Sequence, residues 1–185
     1  MKEQRSERPS SRRLFFAIWP SEAQQHMIER DMRSYVEASR GRPVPARNLH
    51  ATLAFLGGVP ESRMDVAKAC AGQVGSNAGF DLRFDRVETW GRARVLCLTA
   101  PSMPSALGRL VERLRFNLLS AQFEIRQEEF RVHVTLARDA KSRLHESIRS
   151  PITWRVEEFV LVQSSPGSSG SEYTVLERWR LSTAE

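Results

Sequence analysis

The spacing of apolar positions changes several times along this chain, and the changes divide it into elements. Residues 14–19, Leu-Phe-Phe-Ala-Ile-Trp, form a continuous apolar run stopped by Pro20, which reads as a strand. Behind it, Ser21 and Gln24 have the spacing of a capping box, and Ile28, Met32 and Tyr35 follow at helical intervals, predicting a helix to about Ser39. Residues 41–45 turn the chain into a second strand, 49–56, which Gly57-Gly58-Val59-Pro60 should end. Val66, Cys70 and Val74 stand at steps of four and predict a helix over 61–74. Two strands, 80–89 and 95–100, read as a hairpin joined through Trp90-Gly91-Arg92-Ala93-Arg94. Pro104 opens a third helix, whose Leu107, Leu110, Val111, Leu114 and Leu118 make the strongest amphipathic stripe of the chain. The short apolar stretch 123–125 precedes a strand over 132–137, and a polar helix or loop is expected over 139–150. Two last strands, 154–162 and 173–181, flank the Ser/Gly-rich run 164–171, a hairpin connection by default and a lid as the alternative. Hairpins mixed with helices, without regular alternation, predict an α+β fold with mainly antiparallel sheet, and the order of elements suggests two related lobes.

Inside two of these strands one tetrapeptide recurs. His50-Ala51-Thr52-Leu53 returns as His133-Val134-Thr135-Leu136 and holds two of the four histidines. Strand side chains at i and i+2 point the same way. His50 therefore stands beside Thr52, and His133 beside Thr135, each pair offering one titratable imidazole and one neutral hydroxyl donor. Alternation puts Phe55 on the face away from His50, so core is its expected place, with base stacking near the site as the alternative. Arg138 likewise falls on the face away from His133, and only a bulge or a strand end would redirect it. Trp90, Arg92 and Arg94 place an aromatic among arginines at a turn, which suits RNA contact as well as it suits a plain exposed turn.

Composition narrows the chemistry. The 28 Lys and Arg against 22 Asp and Glu leave a net charge of +6, mostly carried by Arg, which favours polyanionic partners such as RNA or phosphate esters. Residues 1–12 are charged and short of apolar side chains and are expected to be a disordered basic arm, with 13–185 forming a single domain. Cys70 and Cys97 lack any metal or redox spacing and read as core residues of a reducing compartment. No signal peptide or membrane span is legible, so a cytoplasmic protein is expected. No further His, Cys or carboxylate clusters near either motif, so no metal and no other cofactor is expected. His26 and His145 read as solvated. The Gly-x-Ser-x-Gly elbow of a hydrolase triad and the GxxxxGK[ST] phosphate loop are both missing from the sequence. Two imidazoles and two hydroxyls remain, which suit opening of a cyclic phosphodiester: a base for water, an acid for the departing oxygen, donors for the phosphoryl group.

Four stretches also carry a family likeness: Arg13-Leu-Phe-Phe-Ala-Ile, Asn48-Leu-His-Ala-Thr-Leu-Ala-Phe-Leu-Gly57, Phe130-Arg-Val-His-Val-Thr-Leu-Ala-Arg138 and Tyr173-Thr-Val-Leu176. In this order they resemble the bacterial RNA 2′,3′-cyclic phosphodiesterases, or 2′-5′ RNA ligases, of the two-histidine phosphoesterase superfamily. The one departure is Val132, where relatives commonly have Pro. The resemblance implies a bilobal α+β fold, with two antiparallel sheets facing a central cleft and helices packed outside. It implies hydrolysis of an RNA 2′,3′-cyclic phosphate end to a 2′-phosphate, with reversible ATP-independent 2′-5′ joining. His50 would be the proton donor, His133 the proton acceptor, and Thr52, Thr135 and Arg138 the phosphate ligands. RNA ends or nucleotide analogues would be the partners of a monomer that makes no use of a membrane.

Overall fold

The computed structural model describes residues 11–75, 78–126, 128–167 and 170–182. Among them nine strands form two antiparallel sheets. β1 (Ser11–Ile18), β3 (Ala51–Pro60), β8 (Glu158–Gly167) and β9 (Gly170–Arg180) make the first, in the order β3-β1-β8-β9. β2 (Arg42–Pro43), β4 (Phe80–Trp90), β5 (Val95–Thr99), β6 (His133–Arg138) and β7 (His145–Val156) make the second, in the order β2-β6-β5-β4-β7. Three α-helices, α1 (Glu22–Ser39), α2 (Met64–Gly72) and α3 (Ser105–Ser120), complete the expected α+β class. The motif strands β3 and β6 touch where the two sheets meet.

The helices form for the reasons their sequences suggest. Ser21 caps α1 with a reciprocal box: its hydroxyl accepts from the Gln24 amide at 3.3 Å, and the Gln24 side chain accepts from the Ser21 amide at 2.8 Å. Ile28 and Met32 are buried, and so are all five stripe residues of α3. The stripe expected for α2 holds at Cys70 and Val74, both buried, and fails at Val66. Val66 is 40% exposed, whereas Met64, Ala67, Cys70 and Ala71 are buried. The helix lies close to α3, where Asn117 Nδ2 donates to the Cys70 carbonyl at 2.9 Å, so alanines rather than a branched side chain fill its inner face.

In β1 both faces are apolar, and each serves a different purpose. Leu14, Phe16 and Ile18 join the main core shared by the sheets and helices. Phe15 and Ala17 instead meet Val160 and Val162 in a second cluster, flanked by Trp19, Tyr173 and Val175. Several boundaries differ from expectation. The ladder of β1 begins at Ser11, and the residues before it, including most of the expected arm, lie outside the described ones. Gly57 and Gly58 do not end β3. Gly57 takes φ +72° beside an extra residue, and the strand runs on to Pro60 opposite Ser11. The stretch expected as helix or loop belongs largely to β7, whose Ile148, Ile152, Trp154 and Val156 face inward among exposed polar neighbours. These four keep one parity, but Ser150 in the same row is exposed beside the register slip between Phe84 and Arg86 of β4, and that gap weakens the period-two signal. The expected strand 154–162 is two strands in two different sheets, parted at Glu157. The Ser/Gly run is not an open loop either, since β8 and β9 stay paired as far as Gly167 and Gly170.

One irregularity recurs in both motif strands. In the β1–β3 ladder Phe16 pairs with Ala54 but Ala17 with Thr52, leaving Leu53 as an extra residue. In the β5–β6 ladder Leu96 pairs with Ala137 but Cys97 with Thr135, leaving Leu136 extra. Each bulge follows the threonine of its motif. Leu53 and Ala54 both go to the core, as do Leu136 and Ala137, so alternation is reset by one residue.

β2 is seated by close backbone approach. A Cβ at Gly41 would stand 2.8 Å from the Arg138 carbonyl oxygen and 3.2 Å from Ala137 Cβ. Gly41→Ala should therefore push β2 off β6 and cost about 1–3 kcal/mol in urea unfolding; wild-type stability would show that this approach is not needed.

Candidate active site

His50 lies at the end of a short lead-in. Pro45 starts a 3-10 turn over Ala46–Asn48, Leu49 is buried, and the chain then enters β3. The His50 Nδ1 lies 2.6 Å from the Asn48 carbonyl oxygen. A carbonyl only accepts, so Nδ1 carries the proton and donates it, which leaves Nε2 to exchange protons in the cleft. Asn48 is itself buried and anchored, its Nδ2 donating to the Ser171 carbonyl at 3.0 Å. His133 repeats the device: its Nδ1 donates to the Arg131 carbonyl at 2.8 Å. In both motifs the imidazole is thus fixed by the carbonyl two residues upstream.

The surroundings of the two rings differ. His50 is enclosed by Trp19, stacked at 5.2 Å and 7°, by Phe15 at 5.0 Å and by Tyr173 edge-on at 5.2 Å. Burial among these rings lowers its imidazole from the ordinary histidine value to about 4, against the pull of the Asn48 carbonyl, and the positive charges of His133 and Arg138 push the same way. Burial lowers His133 too, again opposed by its carbonyl partner, with Arg131 adding to the fall. In the free protein both imidazoles are therefore neutral at pH 7. Around His133 stands a clamp: Trp90 packs on the ring at 4.4 Å, and Arg131 lies over Trp90 at 5.1 Å. Glu88 Oε2 accepts from Trp90 Nε1 at 3.2 Å and from Arg131 at 3.0 Å. Burial pushes the Glu88 carboxyl up, but these two hydrogen bonds outweigh it and hold it below the usual carboxylate range.

Two contiguous cavities join the motifs. One, of about 470 Å³, is lined by His50, Thr52, Thr135 and Arg138 among others. The second, of about 410 Å³, contains His133 and Trp90, and both share Thr52 and Phe55. The bulges explain two of these memberships. Phe15 and Ala17 share a face, so their partners Phe55 and Thr52 do as well; Phe55 is 38% exposed in the cleft rather than in the core, where alternation put it. By the same rule Val95 and Cys97 bring Arg138 to the side of Thr135. Arg92 and Arg94 are exposed on their turn and line neither cavity. His26 and His145 are exposed, and Cys70 and Cys97 are buried free thiols. Sequence reasoning passed over Phe15, Trp19, Asn48 and Arg131 as site residues. Phe15, Asn48 and Arg131 lie in the stretches that carry the family likeness, and Trp19 is an aromatic at the end of a strand just before a proline.

Among the described residues no three His, Cys, Asp or Glu side chains are grouped to hold a metal, and no helix is long and apolar enough to cross a membrane. Fold and cleft together define a two-sheet α+β protein that presents a His-x-Thr pair from each motif strand to one cavity system. Residues 19–167 match the profile of the 2′-5′ RNA ligase superfamily. The chain belongs to that superfamily. It is 36% identical over 173 residues to the RNA 2′,3′-cyclic phosphodiesterase of Escherichia coli K12, covering 91% of this chain and 96% of that protein. A Thermus thermophilus protein of the same name is 32% identical over 182 residues, with 91% and 90% covered. The crystal structure of E. coli LigT complexed with 3′-AMP superposes with a TM-score of 0.86 at 33% identity, covering 94% of this chain and 99% of LigT.

The aromatic enclosure predicts its own test. Trp19→Ala exposes the ring, so the His50 pKa should rise from about 4 toward the ordinary value in an NMR titration. An unmoved titration would mean that stacking does not set it.

Proposed function

We propose that this protein hydrolyses the 2′,3′-cyclic phosphate at RNA 3′ ends to a 2′-phosphate. The matched pair of imidazoles, each held through Nδ1 with Nε2 left for the cleft, carries this reading. His50 protonates the departing 3′ oxygen and His133 takes a proton from the attacking water. As water adds to phosphorus the bond to the 3′ oxygen breaks, and the proton from His50 completes the new 3′ hydroxyl. Thr52 and Thr135 donate to the phosphoryl oxygens, and Arg138 adds charge beside them. Trp90 and Phe55 offer rings to the bases of the strand end. The 2′-5′ joining of a cyclic end to a 5′ hydroxyl uses the same two groups in the same roles, with the hydroxyl in place of water: His133 takes its proton and His50 protonates the departing 3′ oxygen. No step needs a metal ion.

Both imidazoles start neutral, so the acid must be protonated on or before substrate binding. The aromatic rings around His50 replace part of its water and so strengthen its attraction to a bound phosphate anion, which raises its pKa in the complex. In the free protein the singly protonated pair becomes scarcer above the histidine range. The expected result is a kcat/KM that falls about tenfold per pH unit between pH 7 and 8; a flat profile there would contradict a free-protein acid of lowered pKa.

The direct assay is mass analysis with phosphorus NMR of a cyclic-ended oligoribonucleotide in the presence of EDTA, where the product should gain one water and the NMR should place the phosphate on the 2′ oxygen. A 3′-phosphate product or loss of turnover on chelation would overturn the mechanism. His50→Ala and His133→Ala should each remove most turnover while RNA is still bound. Thr52→Ala or Thr135→Ala should cost about 2–4 kcal/mol of transition-state stabilisation in kcat/KM. Unchanged rates would leave these hydroxyls a packing role only.

A further inference from the structure

The cavity beside His50 holds more positive charge than one cyclic phosphate can use. Arg13, Arg42, Arg47 and Arg138 all line it, and none of its described lining residues is Asp or Glu. Arg42 and Arg138 are direct partners across the β2–β6 ladder. Like charges placed opposite each other in a sheet repel. Asp139 stands 3.6 Å from Arg42, but both side chains are about 60% exposed, where such a pair offsets little. Arg42 also reaches toward the β8–β9 hairpin, since a Cβ at Gly170 would lie 3.9 Å from its Nη1. Arg13 comes from the opposite sheet, poised over the Phe55 ring at 5.2 Å. Arg47 sits in the turn whose Asn48 carbonyl holds His50.

The cyclic phosphate is a monoanion, and Thr52, Thr135, Arg138 and a protonated histidine already meet it. Arg42 keeps only the exposed Asp139, and among the described residues Arg13 and Arg47 have no carboxylate at ion-pair distance. The His133 side offers a different environment, with Trp90 and Phe130 as rings and with Glu128 and Glu129 offsetting two of its three arginines, Arg115, Arg126 and Arg131, so it suits a base better than a second phosphate. Resting on the reading above that an RNA end is the substrate, we propose that Arg13, Arg42 and Arg47 form a second phosphate subsite. Its ligand is the internucleotide phosphodiester immediately 5′ of the nucleotide that carries the cyclic phosphate. Arg47 and Tyr173 also border a groove of about 1270 Å³ whose lining mixes Arg155, Arg178 and Arg180 with Glu22, Glu157 and Glu158, so the concentrated positive charge, and with it the subsite, ends at Arg47. The protein is thereby built to grip a strand end rather than a free cyclic mononucleotide.

Calorimetric binding of two dinucleotides that carry a 2′-phosphate on the 3′ residue tests this, one with a natural phosphodiester linkage and one with a neutral methylphosphonate. The natural linkage should bind about 10- to 100-fold more tightly. In the R42Q/R47Q double variant that advantage should vanish, and the slope of log K against log salt for the natural dinucleotide should shrink by roughly 0.7 per arginine engaged. Affinity for a nucleoside 2′-phosphate should change by less than about threefold. Equal binding of the two dinucleotides by the wild type, binding of neither, or an advantage that survives in the variant would overturn the subsite. Turnover of a cyclic mononucleotide, followed in parallel, reports on the hydrolase reading alone, because the binding comparison needs no catalysis.

Discussion

Strand alternation gives each motif strand one face for the cleft and one for the core, and a single extra residue after each threonine resets it. Leu53 and Leu136 are those residues, each followed by an alanine that also turns inward. Without them Phe55 and Arg138 would point into apolar packing, where a guanidinium has no partner and is costly to bury. With them, each strand presents three cleft side chains in the pattern His, Thr, and a third residue three positions on. The burial of two leucines thus orients groups that never touch them. The repeat is longer than a tetrapeptide: His-x-Thr-Leu-Ala ends in Phe on one strand and Arg on the other, and Phe55 and Arg138 line the same cavity beside His50.

The imidazoles depend on a second constraint, the upstream carbonyl that holds Nδ1. It selects one tautomer and one ring plane in both motifs. Around this shared device the two sites diverge. His50 sits among three rings and is tied through Asn48 to the β9 backbone, while His133 is clamped by Trp90, Arg131 and Glu88 nearer to solvent. The two-layered character of β1 makes the first arrangement affordable: Phe16 and its neighbours hold the core, which frees Phe15 to face His50.

Much of the fold was legible in the chain. The capping box of α1 and the stripe of α3 are local signals, and local hydrogen bonding and burial obey them. The errors share a cause. β7 was missed because the exposed Ser150 interrupts its inward row and its polar face is long. In α2 the alanines at the α3 contact outweigh a valine whose spacing looked right. The Ser/Gly run reads as loop by composition, yet its backbone pairs almost to the tip. In each case non-local pairing overrode local preference.

For the site, the sequence by itself determined which groups can exchange protons or donate to phosphate, because residue type and i, i+2 spacing are local properties. It could not say that Phe55 and Arg138 join them, since parity across a strand holds only until a bulge, and a bulge exists only relative to a partner strand. The enclosure of His50 by Phe15, Trp19 and Tyr173 draws on two strands and the residue that follows one of them, and the arginine wall draws on β1, β2, β6 and the turn before β3. Such neighbourhoods are made by sheet order and register, which is why the lowered imidazole pKa and the surplus of positive charge were decided by the tertiary structure alone.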